Sequence, residues 1–355
     1  MPDTAAAAKA EHPPPAAPPA AAAAPRERRL DLDRAKGIAI LLVVFGHVVA
    51  REVPPGVGWY EPLRYAVYRF HMPFFLYLSG TVVVLGGLLA TPPGAWAGLL
   101  RRRAARLLLP FFLLGLLILA AKLLAAGAGA HVDNPPAGLW GGLRDLFWTT
   151  GRSPALTVWY LMVLFLSTAV ALPLAWAGLG TTGLVALGLA LQFVEPPPIA
   201  YLDRFASHFL FFAAGCWAAE RQAALLPAFE RWQWAWWPLF GASLGLALAG
   251  VLDARWSLVA GGLLCIPALH GMVRLPPVSR WSWPIVLGAD AMAIYLFNTL
   301  AIGGAKAALI LAGIGWTAPN FPIHAAVLMA AGVALPIAFR RLVLRRVPAL
   351  DRMTA

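Results

Sequence analysis

Charged side chains are scarce in this chain of 355 residues: they make up 12%, with 16 Asp and Glu against 28 Lys and Arg. A soluble domain carries about 25% charged and about 45–50% apolar residues, whereas 60% of this chain is hydrophobic. The composition excludes an ordinary soluble protein and predicts an integral membrane protein in contact with the lipid bilayer. The excess of cations is then a matter of membrane topology, and nucleic acid is not an expected partner.

Cysteine is nearly absent, since the sequence has only Cys216 and Cys265, each inside an apolar run. That excludes a disulfide framework, an iron–sulfur cluster and a cysteine-based zinc site. We therefore expect no metal and no bound cofactor. The first 29 residues are rich in Ala and Pro and lack the basic-then-apolar order of a signal peptide, so they are predicted to form a disordered cytoplasmic tail.

Long apolar runs occupy the rest of the chain. A helix needs about 20 apolar residues to cross a hydrocarbon core of about 30 Å. We count ten candidate spans, which predicts an all-α, polytopic helical bundle over residues 30–347, followed by a short cytoplasmic tail at 348–355. The candidates are Ala35–Val49, Val67–Ala90, Leu107–Ala126, Leu156–Gly178, Gly183–Val194, Phe205–Ala219, Trp236–Leu252, Trp256–Val273, Pro284–Ile302 and Pro322–Phe339.

The positions of the cations test this count, because cytoplasmic loops hold the excess of Lys and Arg. With a cytoplasmic N-terminus, 19 Lys and Arg fall in inner segments and 7 in outer segments. An even number of spans, with both termini in the cytoplasm, therefore fits the charge distribution.

The first predicted span carries the richest group of polar side chains, Asp33, Lys36 and His47. Ionisable groups inside spans are costly, and those that persist usually face a cavity or one another. Lys36 and His47 are separated by about three helical turns, or about 16 Å, so both project from one face, and Asp33 lies within about 40° of that face. The spacing predicts a cation at the cytoplasmic mouth that shares a stripe with an imidazole deep in the bundle.

The second span starts from the opposite side of the membrane, and Arg69, His71 and Pro73 lie near its beginning. His71 falls at about the depth of His47, so the two imidazoles can converge from antiparallel neighbours. Pro73 has no N–H group, which frees or kinks the backbone near His71. A buried His can simply bond a neighbouring carbonyl, but two at matched depth, with Lys36 and Arg69 nearby, favour function.

This pair of imidazoles indicates a reaction class. A neutral imidazole can remove a proton from a hydroxyl while that hydroxyl attacks a carbonyl or thioester carbon. We therefore predict acyl transfer, with His47 as general base and His71 orienting or polarising the reacting groups.

A basic group follows at the inner end of the third span, at Arg101, Arg102, Arg103 and Arg106. The positive-inside rule alone explains it. Together with Lys36, however, it is also suited to the phosphates of a nucleotide-bearing donor such as coenzyme A.

Four other ionisable groups are less telling. Asp290, in the ninth span, either neutralises an inner cation or lies at the membrane interface. His208 and His270 are near span ends and are predicted to be interfacial, while His324 is predicted to be accessible to solvent.

Two motifs carry a family resemblance. The stretch LDRAKGIA from Leu32 to Ala39, continued by VVFGH at His47, precedes FHMPFFLYLSG from Phe70 to Gly80. In that order the motifs resemble the membrane-bound acyltransferase 3 family, which includes fucose and O-antigen O-acetylases. Weaker similarity extends over most of the chain, at Trp159-Tyr160-Leu161, at Arg103-x-x-Arg106 and between Gly288 and Tyr295.

The resemblance implies acyl-CoA, most often acetyl-CoA, as the co-substrate on the cytoplasmic side, and a hydroxyl of a carbohydrate or cell-surface glycan precursor as the acceptor. It implies a multi-pass protein of the bacterial inner membrane with an essential histidine at His47. Arg103 and Arg106 are similar to the family's paired inner arginines. Lys36 stands where many members have Arg, which keeps the charge but loses the bidentate fork. Asn298 stands where many members have His.

The predicted site therefore has three groups. His47 and His71 are catalytic, and Lys36, Arg103 and Arg106 bind the donor. The supporting residues are Asp33, Arg69, Ser79, Trp159, Tyr160, Asp290 and Asn298.

Two other classes of protein remain open. A transporter or flippase for a glycan or lipid precursor would use the buried histidines to relay protons or hold hydroxyls. It would not release free coenzyme A in proportion to an ester formed, whereas an acyltransferase must. A non-catalytic scaffold is hard to reconcile with so many polar groups in apolar spans.

Overall fold

The structure is a computed structural model that describes residues 28–49, 53–127, 135–154 and 156–354. Within those ranges the chain is helical and forms no β-strand, and an isolated antiparallel bridge joins Thr149 and Ile199. The all-α prediction is confirmed. The predicted disordered tail lies outside the described residues, except for Arg28 and Arg29.

Fifteen α-helices follow one another in the described residues. They are α1 Leu30–His47, α2 Tyr60–Tyr68, α3 His71–Leu85, α4 Trp96–Gly127, α5 Gly138–Phe147, α6 Trp159–Trp176, α7 Gly180–Ala190, α8 Leu202–Glu220, α9 Gln222–Arg231, α10 Gln233–Leu248, α11 Ala254–Met272, α12 Trp283–Ala289, α13 Ala291–Leu311, α14 Phe321–Leu342 and α15 Pro348–Thr354.

Four helices in the described part of the chain, α4, α6, α13 and α14, are long and apolar enough to cross a membrane. Large apolar side chains such as Leu117 and Leu335 are exposed on them, as lipid-facing residues are. The protein is therefore a membrane protein. Each of the other six predicted spans coincides with a shorter or more polar helix, so ten spans with cytoplasmic termini remain a prediction.

Two predicted spans are interrupted. The run Val67–Ala90 contains a break at Arg69 and Phe70, so α3 begins at His71, and Pro73 lies in its first turn. Backbone N–H groups in a first turn have no helical partner, so Pro costs little there and does not kink α3. The run Pro284–Ile302 is divided at Asp290, where α12 ends and α13 begins.

Glycines allow two pairs of helices to approach very closely. In the α3–α8 contact, a Cβ atom on Gly80 would overlap the Phe212 carbonyl oxygen, and one on Gly215 would overlap that of Tyr77. In the α1–α12 contact, Gly37 and Gly288 lie in the same way against backbone oxygens of the facing helix. Such small-residue contacts are the usual means of close packing between membrane helices. They fix α1 and α3, the helices that carry His47 and His71, against their neighbours.

Candidate active site

A cavity of about 480 Å³ opens between α1, α3, α4, α6, α12 and α13. Its wall is mostly apolar, with polar side chains concentrated in two places. One is a group of four cations, which we call the cavity cluster: Lys36, Arg102, Arg103 and Arg106. The other is a set of three side-chain hydroxyls, which we call the hydroxyl cluster: Ser79, Tyr160 and Tyr295.

One acid lies on the cavity wall beside the cavity cluster. Asp33 is the acid on the wall, and its carboxylate binds Arg28 at 2.7 Å and lies 4.0 Å from the Lys36 ammonium. The Nε atom of Arg103 is buried and has no hydrogen-bond partner among the described residues. A buried donor without a partner is costly, and an anionic ligand in the cavity would remove that cost.

Hydrogen bonds and a ring contact link the members of the hydroxyl cluster. Ser79 Oγ lies 2.5 Å from the Tyr160 hydroxyl, and the Tyr160 backbone N–H donates to the Tyr295 hydroxyl at 3.3 Å. The two tyrosine rings meet edge to face at 5.5 Å. These contacts join α3, α6 and α13 around the cavity.

His47 is held in one tautomer by Asn298. The Asn298 side-chain NH₂ donates to the backbone oxygens of Ile294 and Tyr295, at 2.9 Å each, which directs Oδ1 toward His47. His47 Nδ1 lies 2.6 Å from that oxygen and must donate to it. The Nε2 atom of a neutral His47 then carries the lone pair that a general base requires.

His71 is arranged in a similar way. Its Nδ1 donates to the Val67 backbone oxygen at 2.8 Å, which again leaves Nε2 as the acceptor. The Tyr68 ring packs against His71 at 5.2 Å with a tilt of 34°, and the Tyr68 hydroxyl donates to the oxygen of Gly46 at 2.8 Å. Tyr68 therefore contacts both His71 and the residue that precedes His47. The structure thus brings the two predicted histidines together.

The two histidines lie just beyond the cavity. Neither is on its wall, but Met72, the neighbour of His71, is, and so is Tyr295, one turn before Asn298 on α13. His71 is buried and His47 is half-buried. The cavity therefore extends from the cavity cluster to the side chains that adjoin the histidine pair.

Comparison with known proteins identifies the family. A sequence model described as an acyltransferase domain, that of acyltransferase 3, matches residues 29–341. The chain belongs to the acyltransferase 3 family. No solved structure matches the chain.

Similarity to curated proteins is more local. Over 124 residues the chain is 35% identical to nodulation protein NolL of Sinorhizobium fredii, which covers 34% of this chain and 32% of that protein. Over 55 residues it is 42% identical to nodulation protein NolL of Mesorhizobium japonicum, which covers 15% of each. The chain thus matches about a third or less of the length of these relatives.

Of the predicted supporting residues in this family member, Arg69 and Trp159 lie off the cavity wall. Arg69 stacks on Tyr65 at 4.3 Å and donates to the Ala254 oxygen at 2.9 Å, so it connects the end of α2 to the start of α11. The Trp159 ring packs on His208 at 4.6 Å.

Of the two alternatives predicted for Asp290, neutralising an inner cation or lying at the membrane interface, the structure shows the first. It is 2% exposed, and its two carboxylate oxygens accept from Arg340 at 2.8 Å and from Arg341 at 2.7 Å. Arg340 also donates to the oxygen of Ala289 and to Asp351 on α15. Asp290 therefore neutralises cations of α14 and does not face the cavity.

His208, His270 and His324 are all buried within the protein. The prediction that His324 is accessible to solvent was therefore wrong, while the interfacial position predicted for His208 and His270 stays a prediction. His270 lies between the Tyr77 hydroxyl, at 2.7 Å, and Asp31, at 3.4 Å. His324 Nε2 donates to the Ile314 oxygen at 3.0 Å. Arg102 and Tyr295 were not among the predicted site residues, although the first belongs to the basic group at 101–106 and the second to a weak family motif.

Proposed function

We propose that this protein is an integral-membrane O-acyltransferase that moves an acyl group, most simply acetyl, from acyl-CoA to a hydroxyl of a carbohydrate or glycan precursor. Membership of the acyltransferase 3 family supports the reaction class. The observation that carries the proposal is the cavity, which has four cations at one end and the His47–His71 pair beside the other. The proposal includes ten spans, cytoplasmic termini and the bacterial inner membrane.

The donor fits the chemistry of the cavity. Its volume of about 480 Å³ lies in the usual range for ligand sites, about 300–1,000 Å³. Lys36, Arg103 and Arg106 bind the phosphates of acyl-CoA, and Arg102 adds a fourth cation. The apolar wall accommodates the pantetheine arm, which carries the thioester past the hydroxyl cluster toward Met72.

The reaction is a single exchange at the carbonyl carbon. His47 Nε2 takes the proton of the acceptor hydroxyl as that oxygen bonds to the thioester carbon. The carbon–sulfur bond then breaks, and the proton passes from His47 to the departing thiolate. The products are an acyl ester and free coenzyme A. His71 orients the acceptor, and Asn298 is a positioning residue that keeps the His47 lone pair at Nε2.

Replacing the base tests the proposal. We expect His47→Ala to lower kcat by about 10²- to 10⁴-fold, the usual contribution of a general base. Purified protein would be given acetyl-CoA and a glycan acceptor, and both the free thiol and the ester formed would be measured.

His324→Gln is the matched control, because His324 is also buried but bonds only backbone oxygens of the 314–315 loop. It should keep wild-type turnover. Undiminished turnover in His47→Ala would remove His47 from the mechanism. Wild-type protein that forms no ester and releases no thiol would exclude the acyltransferase in favour of the transporter.

A further inference from the structure

A second cavity, of about 190 Å³, lies between the end of α7 and the first turns of α8 and α11. Its polar wall residues are Gln192, Glu195, Asp203, Ser207 and Arg255. It is at the other end of the bundle from the cavity cluster. Asp31, in the first turn of α1, contacts His270 near the end of α11, and Arg255 is about 22 Å from His270 along that helix.

Gln192 gives this cavity a defined chemical preference. The residue is 1% exposed, and its side-chain NH₂ donates to the oxygens of Gly188, at 3.0 Å, and Ala206, at 3.2 Å. Both amide hydrogens are therefore used, and Oε1 is buried with no partner among the described residues. An acceptor in this state is satisfied by a group that donates a hydrogen bond, as a hydroxyl does.

The charges on the wall favour a neutral ligand. The carboxylates of Glu195 and Asp203 are further acceptors, whereas Arg255 donates to Glu195 at 2.7 Å and to the backbone oxygen of Gln192. Glu195 is paired with Arg255, and Asp203 lies 3.7 Å from Arg204, so neither an anion nor a metal cation finds an uncompensated charge here. Several acceptors beside one fixed guanidinium match a group of hydroxyls, each of which donates and accepts.

Aromatic rings stand next to these polar groups. Phe193 and Trp256 follow Gln192 and Arg255 in the chain, are 75% and 38% exposed, and meet at 5.5 Å between ring centroids. An exposed aromatic face offers apolar contact to the C–H side of a ligand whose hydroxyls bind elsewhere.

A buried histidine connects the second cavity to the first. Ser207 Oγ lies 2.8 Å from His208 Nδ1, and the His208 ring packs at 4.6 Å on Trp159, the neighbour in the chain of Tyr160 on the first cavity's wall. A ligand beside Ser207 is therefore separated from the first cavity by the rings of His208 and Trp159.

We propose that this second cavity is a binding subsite for the carbohydrate acceptor, recognised through its hydroxyls by Gln192 Oε1 and Asp203. The inference rests on the proposed acyl transfer, and it assigns the acceptor and the donor to opposite ends of the bundle. A sugar unit held here leaves the remainder of the glycan to extend toward the histidine pair.

Kinetic measurements can distinguish acceptor binding in the second cavity from donor binding at the cavity cluster. Gln192→Met and Asp203→Asn should each raise KM for the glycan acceptor by about tenfold, because the first removes an acceptor for a sugar hydroxyl and the second replaces a charge-assisted hydrogen bond by a neutral one. KM for acyl-CoA should stay unchanged. Gln233→Met is the matched control, because the Gln233 amide also braces two backbone oxygens, those of Phe229 and Pro267, but lines neither cavity.

A binding test does not depend on turnover. A diazirine-bearing alkyl glycoside should label the segments around residues 191–207 and 255 by mass spectrometry, with about tenfold less labelling in Gln192→Met than in Gln233→Met. Labelling at those segments without any acyl transfer would retain the subsite and reject the proposed function. Acyl transfer with equal labelling and equal acceptor KM in all variants would overturn the subsite alone.

Discussion

Two basic groups lie on either side of the junction between α12 and α13. The cavity cluster faces open space, and the acid on its wall is Asp33. The other group, Arg340 and Arg341, donates to both oxygens of the buried Asp290. A rule based on topology treats all of these cations alike, as residues of the cytoplasmic side. The structure separates them by the acids that they contact.

The difference shows which cations can bind a ligand. A guanidinium held by a buried carboxylate is already compensated, and its removal damages the fold. A guanidinium that faces a cavity, with a donor atom such as Arg103 Nε still unsatisfied, is available to an anion. Substitutions that break the contacts of Arg340 and Arg341 with Asp290 should therefore lower stability. Substitutions in the cavity cluster should instead weaken donor binding.

The largest effect should follow loss of the buried carboxylate. Asp290→Asn removes the buried carboxylate shared by Arg340 and Arg341, and it leaves the 7% exposed Arg340 with only Asp351 as a charged partner. Breaking a buried pair costs about 3–5 kcal/mol. Thermal unfolding in detergent, followed by circular dichroism, should show a clear fall in Tm. Asp33→Asn is the control, because its partner Arg28 is mostly exposed, and it should cost no more than about 1 kcal/mol. Equal losses in the two variants would erase the distinction between the groups.

A smaller effect is expected on donor binding. Arg103→Gln should raise the Kd for acyl-CoA by about tenfold, or about 1.4 kcal/mol, because one charge-assisted hydrogen bond to phosphate is lost. Titration calorimetry measures this directly. The same exchange in the other group, Arg341→Gln, should leave the Kd unchanged. If Arg341→Gln weakens donor binding as much as Arg103→Gln does, the cavity is not the donor site.

The smallest effect should come from Lys36→Arg. A guanidinium adds a bidentate fork to the charge that Lys36 already supplies, so the Kd for acyl-CoA should fall by about threefold. The same calorimetric titration detects it, with Arg34→Lys as a control on the same helix that is absent from the cavity wall. A Kd that rises in Lys36→Arg would show that this position does not contact phosphate.

The parts of the site that depend on local sequence were predictable. Helical periodicity alone aligns Lys36 with His47, and both ends of that stripe have the expected kind of neighbour: an acid beside Lys36 and a second imidazole near His47. The α-helices coincide with the apolar runs for the same reason. The breaks at Arg69 and Asp290 were missed because apolar composition continues across them.

Contacts between distant parts of the chain were not predictable. His270 is buried because Tyr77 and Asp31, 193 and 239 residues away, lie on either side of its ring. His324 is buried because the loop before α14 folds over it. No window of sequence around either histidine contains these partners, so the sequence predicted solvent exposure for His324 and could not predict the contacts of His270. Tyr295 was missed for the same reason: its hydroxyl meets Tyr160 of another helix.

The close contact of Gly37 and Gly288 with facing backbone has a consequence for selectivity. These contacts hold α1 against α12, and Lys36 and His47 both lie on α1, so the distance between the proposed phosphate-binding end and the proposed base stays at about 16 Å. A donor with a longer acyl chain cannot be accommodated by an increase in that distance. Its extra carbons would have to fit across the cavity, beside the wall residues Met72, Phe75 and Met292.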